Sequence, residues 1–257
     1  MTIFYHIAVD KEDLCTFAAD YWLRCYSEAV ASGRKFSIAL SGGGTPKSLY
    51  QLMASKKYSE QIDWRKVDVF FGDERCVPLD HVDSNYLMAT TALLGNIDIP
   101  VTNIHSVPFF QGEQARSADS YQHEIRQHLF HDENNIPQFD LVLLGMGDDG
   151  HTASLFPGTT ILEEQKRWVS EVYVQRLDSW RISLTYPVIN NTRHIMVLVA
   201  GAAKSEKIAE ILLETGVSEK YPIQGVAGRG DMLWLMDKAA AANLDGVISA
   251  ELMDDVT

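Results

Sequence analysis

Short apolar runs recur along this chain, and glycine closes several of them. The clearest spans residues 141–144, between Asp140 and Gly145. An apolar run of that length, ended by glycine, predicts a strand buried on both faces. Residues 36–40, 67–71, 194–200 and 232–236 predict further strands, and residues 103–107 a weaker one. Past Pro157 the pattern becomes more β-like, with strands expected at 168–174 and 181–186. Between these runs the period turns helical. Asp10 reads as an N-cap with Asp13 in the first turn. Leu14, Phe17, Ala18, Tyr21 and Cys25 follow at helical spacing, and Gly33 supplies the stop. A second helix is expected up to Ala54, with Thr45 as N-cap and Pro46 in the first helical position. Others are predicted at 85–94, 113–130 and 203–214, and an alanine-rich one from Lys238 onward.

Strand and helix alternate throughout, with no repeat, low-complexity tract or linker. That predicts an α/β fold, a mainly parallel sheet with helices on both faces. A length of 257 residues suits one large α/β domain or two small ones, and the missing linker favours one, residues 1–257.

Composition narrows the partners. Hydrophobic residues at 46% and charged residues at 22% are ordinary for a soluble globular protein. A net charge of −13 argues against nucleic acid and anionic membrane, which need a basic face. It leaves room for an anionic small molecule, which local cations and backbone amides can bind against the global field. Cys15, Cys25 and Cys76 are odd in number and form no CxxC, so they are read as reduced thiols packed in the core. No signal core opens the chain and no apolar run reaches membrane-spanning length, so the expected compartment is the cytoplasm.

The candidate chemistry collects at strand ends. Gly145, Gly147 and Gly150 form a loop that carries Asp148, Asp149 and His151. A histidine beside a carboxylate, past a buried strand, is either a candidate general base or part of an ordered Asp-Gly turn. The SGGGTP stretch, Ser41 to Pro46, puts glycine amides before a helix N-terminus, a setting that favours phosphate. It is neither a Walker A loop nor a GxGxxG fingerprint, because Pro46 and Lys47 break both patterns. Asp73 and Arg75, in GDER, read either as a structural ion pair or as residues facing the same crevice as His151. Arg181 starts a strand, and Lys204 sits in the first turn of a helix, where a cation opposes the dipole. His123, His128 and His131 share one expected helix without a completing ligand, so a solvated face is expected there and no metal. GxSxG is absent, and neither Ser41 nor Ser154 has a visible partner base, so no serine nucleophile is expected.

Taken together, SGGGTPKSLY, FFGDERCVPLDHVDSNYLMA, FDLVLLGMGDDGHTASLFPG, and the pair RISLTYPVIN and GAAKSEKIAEIL resemble 6-phosphogluconolactonases over roughly residues 36–236. The GxGxDGHxASLFP string is the most specific part. The resemblance implies a Rossmann-like sheet, in a fold group shared with glucosamine-6-phosphate deaminases and ribose-5-phosphate isomerases. It implies hydrolysis of 6-phosphogluconolactone in the oxidative pentose phosphate pathway, without a cofactor. By the same resemblance His151 matches the general base, Asp149 its neighbouring carboxylate, and Arg75 a cation near the reacting centre. Ser41, Gly42, Gly43 and Gly44, with Thr45 adjacent, match the phosphate cradle, and Arg181 and Lys204 the cations at the phosphate; Asp73 is placed with the substrate-binding group. The deaminase branch carries a glutamate five residues past its DGH histidine, and tyrosine in place of Arg75; here the first position is Phe156, which transfers no proton. A sugar-phosphate sensor of this fold would usually add a DNA-binding segment, for which the chain has no spare stretch.

Overall fold

The buried runs form the middle of one sheet. β2 (Phe36–Leu40) and β3 (Val67–Phe71) are buried at every position, and β5 (Leu141–Gly145) is buried up to its final glycine. β8 (His194–Val199) and β9 (Asp231–Asp237) are buried after their first residue. With β1 (Ile3–Ala8) they make a six-stranded sheet in the order β1-β9-β8-β5-β2-β3, parallel at every pairing. This computed structural model describes residues 2–213 and 220–244.

Parallel neighbours need crossovers, and helices supply them. α1 (Lys11–Ala31) links β1 to β2; α2 (Gly44–Met53) and α3 (Lys56–Ser59) link β2 to β3. α4 (Asn85–Ala92) and α5 (Gln114–His128) precede β5, α6 (Tyr186–Ile189) precedes β8, and α7 (Ser205–Leu213) precedes β9. The start of α1 shows why the local sequence suffices there. Asp10 Oδ1 accepts from the backbone N–H of Glu12 and Asp13, and Asp13 Oδ2 accepts from the N–H of Val9. Such a reciprocal cap contributes about 1 kcal/mol. At the other end Gly33 takes φ +74, the left-handed turn that glycine adopts without strain.

A second, three-stranded sheet hangs from the carboxyl end of β3. β4 (Asp73–Arg75), β7 (Ser179–Leu184) and β6 (Val169–Val174) pair antiparallel in that order. Gly72 joins the sheets: its N–H donates to Leu40 O and its carbonyl accepts from Leu184 N. One hydrophobic cluster includes Leu143 of the large sheet and Val172 and Ile182 of the small one.

Several expectations shift. β1 was not anticipated; among the described residues it is an edge strand that pairs only with β9, at the far end of the chain. The strand expected at 103–107 reduces to a single bridge, Val69 to Ile104, after a 3-10 turn at Val101–Asn103. The strand expected at 181–186 starts two residues earlier, and its last residue, Tyr186, opens α6, where Pro187 favours a helix start. The helix expected at 203–214 divides into a 3-10 turn, Ala202–Lys204, and α7; Glu214 lies outside the described residues. Residues 238–243 form turns rather than a helix, and the chain after 244 is outside the described residues. Among the described residues no helix is long and apolar enough to cross a membrane.

Candidate active site

The strand order reverses beside β2: the chain moves out to β3, then returns to β5 on the other flank. In such sheets the crevice opens at the carboxyl ends of the strands that diverge. The two glycine loops leave those strands, so topology brings them together.

The loop after β2 enters α2 through Gly43, at φ +106. That conformation suits glycine and not threonine, so α2 begins at Gly44 with Gly43 as its N-cap, ahead of the expected Thr45. No side chain caps this end, which leaves first-turn amides open to an anion. The loop is held from below by the buried Tyr50 hydroxyl, which accepts from Ser41 N at 2.9 Å and donates to Ser41 O at 2.8 Å. Asn85 packs so closely that a Cβ on Gly42 would lie 2.2 Å from its Oδ1. Asn85 is itself fixed by Glu74, whose carboxylate accepts from the N–H groups of Asn85 and Tyr86 at the start of α4.

The loop after β5 presents His151. A Cβ on Gly147 would fall 1.9 Å from His151 Nδ1, so only glycine admits the ring there. Asp149 Oδ1 lies 2.5 Å from His151 Nδ1 and accepts from His151 N at 3.2 Å. A proton on Nδ1, donated to that carboxylate, leaves Nε2 as the basic nitrogen. The ring stacks on Phe156, with centroids 4.0 Å apart. Burial raises the Asp149 carboxyl, but the hydrogen bonds and charge of His151, with the Arg176 guanidinium, outweigh it and hold it at about 2. Asp148 makes a different contact. Its carboxylate pairs with the Lys204 ammonium, which holds it below its ordinary value. Lys204 therefore sits in the 3-10 turn before α7 with a protein partner, and not as an unexplained cation in the α-helix.

The small sheet contributes the remaining charge. Arg75 of β4 stands directly opposite Arg181 of β7. Like charges so placed repel, and the carboxylates of Asp73 and Glu74 on β4 offset this at Arg181 only in part. Arg75 Nη1 donates to Asp83 O at 2.5 Å, whereas Arg181 Nε is buried without a hydrogen-bond partner. Burial, then the charge of Arg75, pushes the Arg181 guanidinium down from its ordinary value. Asp73 forms no ion pair with Arg75 among the described residues. Its Oδ2 accepts from Ser154 Oγ at 2.6 Å and its Oδ1 from Asn85 Nδ2 at 3.2 Å. Ser154 Oγ is thereby held by the Asp73 carboxylate and Ser41 Oγ by the Gly42 carbonyl, so among the described residues neither hydroxyl is hydrogen-bonded to His151.

One cavity of about 460 Å³ collects these groups. Ser41 to Thr45, Asp73, Arg75, His151, Arg181 and Lys204 all line it, and Asp149 stands behind His151. Two lining residues were missed in the sequence. Asn85 carried no signal beyond a helix start. Arg176 lies in the turn Gln175–Leu177 between β6 and β7, and reaches Asp149 Oδ2 at 2.7 Å and the Phe156 ring at 5.1 Å. Nothing in its local sequence marks it; the hairpin alone brings it to the loop after β5.

Fold and site together define a class: an α/β protein with a cation-edged crevice and a carboxylate-held histidine at the carboxyl ends of its parallel strands. The chain belongs to the glucosamine-6-phosphate isomerases/6-phosphogluconolactonase family, whose model matches residues 9–234. It is 41% identical to a 6-phosphogluconolactonase of Nostoc sp. over 91% of this chain and 95% of that one. It is 40% identical to a 6-phosphogluconolactonase of Synechocystis sp., over 85% and 88% of the two chains. The solved 6-phosphogluconolactonase from Trypanosoma cruzi superposes with a TM-score of 0.81 at 32% identity, covering 95% of this chain and 98% of its own.

Proposed function

We propose that this protein hydrolyses 6-phospho-D-glucono-1,5-lactone to 6-phospho-D-gluconate, the lactone-opening step of the oxidative pentose phosphate pathway. The observation that carries the reading is one crevice lined by a histidine with Nδ1 fixed by Asp149 and by two adjacent arginines. The names of the family relatives support it. His151 Nε2 takes a proton from water as the water oxygen bonds to the lactone carbonyl carbon. Asp149 holds the imidazole in register and stabilises the imidazolium. Arg75 faces the oxyanion that develops on the carbonyl oxygen. As the acyl–oxygen bond breaks, the imidazolium returns its proton to the ring oxygen. The phosphate occupies the open amides of Gly42 to Gly44, with Arg181 and Lys204 as charge-assisted partners. A lactone carbonyl is already electrophilic, so this scheme calls for no covalent intermediate and no cofactor. The three free thiols fit a reducing compartment, and we place the protein in the cytoplasm.

Phe156, 4% exposed under the His151 ring, occupies the position where, by resemblance, the deaminase branch carries a glutamate, which disfavours aldose–ketose chemistry. The test is acid release from the phosphorylated lactone, followed beside glucosamine-6-phosphate. Lactone turnover well above the spontaneous rate, with no ammonia released, is expected. Turnover of the amino sugar at a comparable rate would overturn the assignment.

A further inference from the structure

A second histidine–carboxylate cluster lies outside the crevice, between β3 and α5; none of its residues lines the cavity that holds His151. His105 is placed by the chain that runs beside β3, where its N–H donates to Val69 O at 2.8 Å. Its side chain is 2% exposed and stacks on Phe70, with centroids 4.3 Å apart. Nδ1 lies 2.8 Å from Glu124 Oε1, and Nε2 lies 3.5 Å from Asp68 Oδ1. Glu124 and His128 are four residues apart on α5 and so share a face. His128 Nε2 comes within 3.3 Å of the same Glu124 oxygen, and its ring centroid is 4.2 Å from that of His105.

The proton count is what makes this cluster unusual. A neutral imidazole has one N–H, yet His105 faces a carboxylate from each ring nitrogen. His128 points a third ring nitrogen at Glu124. Asp68 is already served by Lys35 Nζ at 3.0 Å. With the His105 proton on Nε2, toward Asp68, Nδ1 presents a lone pair to the space shared with Glu124 and His128. A carboxylate on one imidazole nitrogen and an open lone pair on the other is the arrangement of a metal-ligating histidine. The three candidate ligand atoms lie within 4.8 Å of one another. Bonds of about 2.0–2.1 Å in a tetrahedral zinc site set ligand atoms roughly 3.3 Å apart. The separations of 2.8 and 3.3 Å from Glu124 Oε1, with the two imidazole nitrogens within 4.8 Å of each other, leave all three atoms in reach of one ion after side-chain adjustment.

We propose that His105 Nδ1, Glu124 Oε and His128 Nε2 bind a divalent ion of the zinc class, with water completing four-fold coordination and Asp68 orienting His105. Two imidazoles and one carboxylate suit such an ion better than magnesium or calcium, which prefer all-oxygen sets. The partly exposed side chains of Glu124 and His128, at 39% and 36%, give the ion a path in. Bound there, it clips α5 to the chain beside β3. α5 also carries Tyr121, whose hydroxyl accepts from Phe71 N and donates to Phe71 O at the end of β3. The ion therefore braces the strand end that leads into Asp73, without touching substrate. In the sequence no carboxylate stands out beside His128, because Glu124 lies one helical turn earlier and His105 lies on another element.

The test is zinc binding to the chelator-stripped full chain, by competition with a chromophoric chelator, with thermal unfolding followed in parallel. One equivalent is expected, with a zinc-dependent rise in Tm. His128→Ala and Glu124→Gln should each weaken binding at least tenfold, and Asp68→Asn by roughly 10–100-fold. His151→Ala should leave affinity and the Tm shift intact. No saturable binding to the wild type would overturn the site, as would affinity unchanged in His128→Ala. Binding lost in His151→Ala would assign the ion to the crevice instead.

Discussion

His151 and His105 are both held by carboxylates, yet their settings prepare them for different work. His151 rides on a glycine loop at the mouth of a cavity, with a side chain 26% exposed and one nitrogen fixed by Asp149. His105 is buried between a strand and a helix, with both nitrogens facing acceptors. An imidazole with one nitrogen held and the other open can exchange a proton with a small molecule. An imidazole enclosed on both sides can only hold a neighbour or an ion. The carboxylates are alike, so the difference lies in which elements deliver them. Asp149 comes from the histidine's own turn, two residues away, whereas Asp68 and Glu124 come from β3 and α5.

The sharpest way to break this comparison is to remove each ring. His151→Ala should lower kcat on the phosphorylated lactone by roughly 10²–10⁴-fold, while Tm falls only by what the Asp149 pair contributes. Glu124→Gln, a milder probe of the other cluster than truncation of the buried His105, should leave kcat near the wild-type value. Steady-state kinetics beside thermal unfolding decide it, and comparable losses of kcat in both variants would erase the distinction.

A smaller effect sharpens the crevice itself. Arg181 has a buried Nε without a partner, whereas Lys204 is paired with Asp148. A charge-assisted hydrogen bond contributes about 1.5–3 kcal/mol, so Arg181→Ala should reduce kcat/KM on the phosphorylated lactone by roughly tenfold to a hundredfold. Lys204→Ala should cost less, because the wild-type lysine must give up Asp148 to meet a ligand. On unphosphorylated gluconolactone both variants should match the wild type. Equal fractional losses on the two lactones would assign these cations to the fold or the carbonyl.

The smallest effect is in pH. Asp149 is depressed to about 2, below the ordinary value of about 3.9 for an unfolded aspartate. A depressed carboxyl contributes stability above its unfolded value and loses it as pH falls through the folded one. The Tm difference between wild type and Asp149→Asn should thus be steady above about pH 4 and shrink toward pH 2. A difference that grew on acidification would mean that the His151 pair does not stabilise the fold.

Much of this was legible in the chain because the deciding interactions are short-range. The Asp10 cap, the left-handed Gly33, the buried runs at 36–40, 67–71 and 141–144, and the Asp149–His151 pair each involve residues within one turn or one strand. Local sterics and hydrogen bonding determine such features before any packing exists. Tertiary structure alone decided the rest: Arg75 opposite Arg181, Arg176 on Asp149, Lys204 on Asp148, and His105 against α5. It also decided β1, which pairs with β9 from the other end of the chain. The physical reason is that a parallel sheet brings together strands from distant parts of the chain. Strand order, set by which buried faces pack, determines which loops meet. A residue such as Arg176 has no signature of its own until a hairpin turns it toward a carboxylate on a loop of the other sheet.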